Sequence, residues 1–224
     1  MRVDCFGRIV VTILLLLALM RAAAPAGLAA ASQGEQDLTA RARAIHERVI
    51  TLDTHTDIDP ANFTRACNYT MPLTTQVSLP KMKAGGLDVS FLVVYVGQSN
   101  PSQVADAFKP SGYDRAYKAA VAKFDAIHNL TKAIAPNDIE LALRAADVTR
   151  IAKSGKKVAV IGIENGYPLG TDIKRVKEFW DRGGRYMSLA HNGHSQLSDS
   201  NTGRRTTNGC GAVSRRSVVK SSRK

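Results

Sequence analysis

No histidine follows His194, and no acidic residue lies between Arg204 and Lys224. The first absence means that any imidazole chemistry must be built from His46, His55, His128, His191 and His194. Cysteine is sparse, with Cys67 and Cys210 left once Cys5 is assigned to a leader, which excludes a disulfide-stapled scaffold. The two are far apart in the chain and can pair only in an oxidising compartment. The chain also lacks a long apolar run: Ile9 to Met20 spans 12 residues, short of a bilayer crossing. No lipobox precedes a cysteine, which excludes lipidation at the N-terminus, and no short-period repeat is present.

The net charge of +12 resembles that of a nucleic-acid-binding protein, but its distribution excludes that class. Residues 204–224 carry seven of the positive charges, and residues 1–31 carry a net two. About +3 remains for residues 32–203, so the basic character belongs to the ends. Residues 1–31 read as a signal peptide. Arg2 and Arg8 form a positive n-region, the apolar run follows, and Ala29-Ala30-Ala31 precede Ser32 as an A-x-A cleavage site. That places the mature protein in the periplasm or outside the cell, with no membrane attachment after cleavage.

Between the ends, strand and helix patterns alternate. Gln36–Arg48 has helical periodicity with Leu38, Ala42 and Ile45 on one face. Val49–Asp53 reads as a buried strand and Leu87–Val96 as a strand covered on both faces. Helices are expected over 79–84, 113–134, 138–154 and 173–181, and further strands over 157–163 and 185–190. Such alternation predicts an α/β fold with a parallel sheet. In those folds chemistry collects at the C-terminal ends of the strands.

The ends carry a consistent set of residues. Strand one runs into Thr54-His55-Thr56-Asp57, whose His55 and Asp57 share one face of an extended chain. Strand two ends in Tyr95 and Gln98, strand three in Glu164, and strand four in His191, Asn192 and His194. His, Asp and Glu suit a borderline cation such as zinc, and a shared carboxylate can bridge two ions about 3.5–4 Å apart. Each residue also has a plainer reading. His55 and Asp57 can form a loop pair, Glu164 can pair with Lys157, and His191 can be a satisfied strand-end histidine. Convergence on one rim favours the functional reading.

Four motifs carry a resemblance: D-x-H-x-D at 53–57, G-x-D-V-x-F at 86–91, G-I-E-N-G at 162–166 and G-x-R-Y-x-x-L-x-H-N at 183–192. Together they resemble the membrane (renal) dipeptidase family of zinc peptidases, in its secreted bacterial branch, over about 36–203. Glu164 and His191 are 27 residues apart, the spacing that resemblance leads one to expect. It implies a (β/α)8 TIM-barrel-like metallohydrolase that hydrolyses dipeptides by a metal-bound hydroxide. His55 and Asp57 would bind one zinc and Glu164 would bridge two. His191 would contact substrate and act with Glu164 in catalysis, with Tyr95 facing the substrate. An intact enzyme of this kind could form a homodimer. The runner-up is another amidohydrolase-type binuclear hydrolase, but those carry H-x-H where this chain has H-x-D.

The resemblance is expected to end near Gly203, after about four βα units, too few to close an eight-stranded barrel. The second zinc would then lack its two histidines, leaving an inactive fragment or a non-catalytic metal-binding half-domain. The tail over 204–224 reads as a frameshift product. Asn208 to Ser217 can be encoded so that one base earlier gives E-W-L-W-G-G-L-S-P-L. The plainer reading is a natural basic tail for an anionic surface.

Overall fold

The computed structural model describes residues 26–98 and 105–202. The expected leader lies outside these residues except at 26–31, and the expected frameshifted tail and Cys210 lie wholly outside them. The chain divides into one compact unit ending at Val49 and another starting at Ile50. The first unit contains α1, Ala26–His46, which begins ten residues before the periodicity suggests. Leu38 and Ile45, read as sharing one helical face, are 65% and 54% exposed. Among the described residues, no helix is long and apolar enough to cross a membrane.

The second unit is a parallel α/β sheet. Its strands are β1 (Leu52–Asp57), β2 (Val89–Tyr95), β3 (Ile139–Leu141), β4 (Lys157–Glu164) and β5 (Gly184–Met187). Its helices are α2 (Leu79–Gly85), α3 (Pro110–Asn129), α4 (Ala145–Lys153) and α5 (Lys174–Asp181). β1 pairs with β2 and β2 with β4, all parallel. On its other side β4 pairs with β3 along residues 157–159 and with β5 along 161–163.

The apolar runs of β2 and β4 are buried on both faces, as a parallel sheet requires. Leu92, Val94, Ile161 and Ile163 pack with Phe124, Ile127 and Leu130 from the α3 region. On the opposite face Val89, Val158 and Val160 pack with Ile151, Phe91 and Val148. The register Val89↔Val158 and Leu92↔Ile161 keeps these sets apart, because side chains alternate along each strand.

Two expectations are corrected. The helix expected over 138–154 is instead the short strand β3 followed by α4. The start of β3 is pinned because Ile139 pairs with Lys157, and Leu143 and Arg144 donate N–H groups to Asp147, fixing the helix start late. Strand one was expected to be buried over 49–53. It runs over 52–57, and Val49, Ile50 and Leu52 are all more than two-fifths exposed. It is held by hydrogen bonds at the sheet edge rather than by burial.

Asp88 ties three strand starts together. Its carboxylate accepts the Thr51 N–H at 3.1 Å and faces Lys157 Nζ at 3.2 Å, while its own N–H donates to Thr51 Oγ1. Burial works against its ionisation, but the Thr51 N–H and Lys157 outweigh it and hold the carboxyl below its ordinary 3.8. The folded state therefore binds this proton less readily than the unfolded chain. The stabilisation is full above about pH 3.8 and fades as pH falls through the lower folded value. Asp88→Asn should cost about 1–3 kcal/mol at neutral pH, and less in acid, by denaturant titration at two pH values.

Candidate metal centre

β1 carries a register irregularity between Asp53 and Thr56. The Asp53 carboxylate resolves it by accepting the His55 N–H at 3.0 Å and the Thr56 hydroxyl at 3.1 Å. The Thr56 hydroxyl also lies 2.7 Å from the buried Ser90 hydroxyl of β2. With that strand pinned, His55 and Asp57 face the end of β4.

His55 Nε2 lies 3.2 Å from Glu164 Oε2 and 3.9 Å from Asp57 Oδ1. One donor atom from each of the three falls within 4.8 Å of the others. Two donors on one zinc, each at ~2.0–2.2 Å, sit roughly 3–3.6 Å apart, so the 3.2 Å spacing suits a shared cation. Asp57 is 73% exposed at its side chain and is free to close the remaining gap. Two carboxylates and one imidazole also match a divalent cation in charge and in donor type. The set fits the metal.

Glu164 is the centre of the arrangement, with its side chain 15% exposed. Its second oxygen, Oε1, lies 3.0 Å from His191 Nε2. The plainer pairing of Glu164 with Lys157 does not occur, because Lys157 faces Asp88 at the opposite end of β4. Tyr95, whose register partner is Glu164, meets the His191 ring edge-on with centroids 5.0 Å apart. His194 stays in the loop, with Nδ1 3.2 Å from the Ser200 N–H. His128 joins no site and lies 2.9 Å from the Arg182 carbonyl.

The strand-end pattern missed two neighbours. Lys123, on α3, donates to the Ile58 carbonyl at 2.8 Å, just beyond Asp57. Burial lowers its pKa, and Asp57, Asp59 and Glu164 oppose that lowering. Its helical periodicity gave no hint of this, since the contact needs the loop after β1 to fold back. Tyr186 of β5 lies across Gly162, and its phenol is pushed up by burial and then by Glu164 and Asp57. The phenol of fully buried Tyr69 is pushed up to about 12 by burial and by Asp57. The Tyr95 phenol is likewise raised by burial, then by Glu164 and Asp57. In all three burial is the larger cause and Asp57 adds to it.

A parallel α/β sheet with His, Asp and Glu gathered at its strand ends is the arrangement of a barrel-type metallohydrolase. The family model for membrane dipeptidase (peptidase family M19) matches residues 39–216, and the chain belongs to that family. The match continues past Gly203, where the resemblance was expected to stop. The chain is 26% identical over 174 residues to dipeptidase ataJ of Aspergillus terreus, covering 75% of this chain and 41% of that protein. Its fold is similar to the probable dipeptidase PvdM of Pseudomonas aeruginosa, with a TM-score of 0.67 and 21% identity over 75% of this chain and 41% of that one. It is also similar to a metallopeptidase of Rhodobacter sphaeroides liganded with a phosphinate mimic of L-Ala-D-Ala, with a TM-score of 0.50 and 21% identity over 67% of this chain and 48% of that one. The chain thus spans less than half the length of each of these proteins.

A Cβ placed on Gly162 would lie 2.2 Å from Tyr186 Cζ. Gly162→Ala should therefore displace the Tyr186 ring and cost about 1–3 kcal/mol. In a double-mutant cycle read by denaturant unfolding, Tyr186→Ala should remove most of that cost.

Proposed function

We propose that this chain carries the first metal seat of a zinc-dependent dipeptidase that works in the periplasm or outside the cell. One observation carries the reading: Glu164 lies within 3.2 Å of both His55 and His191, so ligand set and substrate-facing imidazole share one carboxylate. His55, Asp57 and Glu164 would hold the cation. When bound, it supplies Lewis acidity toward a scissile carbonyl and acidifies water. His191 Nε2 is the N–H donor for the developing oxyanion, a stabilisation worth several kcal/mol in acyl transfer. Tyr95 packs against that ring and limits its rotation. The dipeptide lies over the strand ends, between Tyr95 and the loop that bears His191.

Among the described residues, one group offers three metal donors. That observation favours a second reading for residues 1–224 alone: a metal-binding half-domain that holds one ion and turns over slowly or not at all.

The test uses the full chain, zinc and isothermal titration, followed by L-Ala-D-Ala hydrolysis with and without chelator. One zinc should bind per chain, and Glu164→Gln and His55→Ala should each weaken it by at least ~10–100-fold, the cost of losing even an outer partner. Chelator-sensitive hydrolysis supports the enzyme reading, and binding without hydrolysis supports the half-domain. Absence of zinc binding, or equal binding by Glu164→Gln, sinks both.

A further inference from the structure

Asn165 is the one described non-glycine residue with a positive φ, 73°, and it is fully buried immediately after Glu164. An L-residue held in that region stores strain that the surroundings must compensate. Here the compensation is a saturated amide. Asn165 Nδ2 donates to the Val96 carbonyl at 3.1 Å and to Gln98 Oε1 at 2.6 Å. Its Oδ1 accepts the Tyr167 N–H, and its own N–H donates to Ser188 Oγ at 2.8 Å. One residue therefore joins the exits of β2, β4 and β5, the first two through its side chain and the third through its backbone N–H.

The second amide continues the chain of bonds. Gln98 Nε2 donates to the Asn192 and His194 carbonyls, both at 3.1 Å. Both amides thereby have one allowed orientation, because Asn165 can only donate to Gln98 through Nδ2 and Gln98 then has only its N–H groups for the loop. The approach also needs glycine between those carbonyls. Gly193 has φ 106°, and a Cβ there would lie 2.6 Å from Gln98 Nε2. The loop held in this way begins at His191, whose ring rests between Tyr95 and Glu164.

We infer that Asn165 and Gln98 are positioning residues: a two-amide latch that fixes the 191–194 loop and so sets the His191 imidazole against Tyr95 and Glu164. The inference deepens the dipeptidase reading and rests on it for its kinetic consequence, but not for its structural one. Neither residue touches the metal donors through its side chain. Their effect reaches substrate only through His191, where a displacement of about 1 Å costs on the order of 100-fold in rate.

The test is Gln98→Glu in the full chain. The new carboxylate still accepts from Asn165 but cannot donate to the two carbonyls. Gln98→Ala serves as a second variant should the first fold poorly. Three readouts are taken: the nuclear Overhauser contact between the Tyr95 and His191 rings, amide hydrogen exchange, and zinc titration. Both variants should lose the ring contact and speed exchange at 191–194 by ~10-fold, the loss expected for about one net hydrogen bond. Exchange in β4 and zinc affinity should stay as in the wild type. Where the wild type hydrolyses L-Ala-D-Ala, kcat should fall by ~10–100-fold with KM little changed.

An intact ring contact with unchanged loop exchange overturns the latch. A loosened loop with undiminished kcat overturns its positioning role. A wild-type chain that binds zinc but hydrolyses nothing removes the dipeptidase reading alone, and the ring contact and exchange still decide whether the latch sets His191.

Discussion

Parallel pairing along β4 is the constraint on which the rest depends. β4 is flanked on one side by β2 and on the other by β3 and then β5. A parallel ladder fixes where each neighbour ends relative to its partner. The residue opposite Glu164 is therefore Tyr95, and Met187 opposite Ile163 starts the short run to His191. If β4 slipped by one residue, Glu164 would turn into the helix-packed core and Ile163 toward the rim. The two apolar clusters on opposite faces oppose such a slip, since it would exchange their members. Core packing and site geometry are thus one requirement, enforced by one strand.

The parts of this fold that were legible in the sequence are those built on continuous apolar runs. VSFLVVY and KVAVIGIE could be read as covered strands because burial on both faces leaves an unbroken apolar signature. The polar residues that followed them could be read as a rim. β1 was placed too early because its strand character comes from edge hydrogen bonds, and Asp53, Thr56 and Ser90 leave no apolar periodicity to detect. β3 was missed for a related reason: three residues are too few for any period to appear, and only the partner Lys157 strand makes Ile139 extended. His55, Asp57, Glu164, His191 and Tyr95 lie near one another at the strand ends.

What the sequence could not show is how those side chains are held. Asn165 stood in view beside Glu164, yet nothing in a linear string marks a left-handed backbone at an asparagine. Gln98 lies almost seventy positions before Asn165 and more than ninety before the carbonyls it binds. Such a contact follows only from the register of three strands. Lys123 was equally hidden, because its helical period places it on a face and says nothing of which loop returns to meet it. The supporting residues of this site belong to tertiary structure, while its candidate ligand residues belong to strand ends, and only the latter have a local signature.

The placement of Asp88 and Lys157 at one end of the sheet, away from Glu164 at the other, has an electrical consequence. At the lower end the Lys157 ammonium and the Asp88 carboxylate neutralise each other within 3.2 Å. At the upper end Asp53, Asp57, Asp59 and Glu164 gather with Lys123 as the one lysine named among them. The sheet therefore acts as a lens for positive charge, with its focus at the rim. A cation diffusing nearby would be drawn toward that end well before it met a ligand.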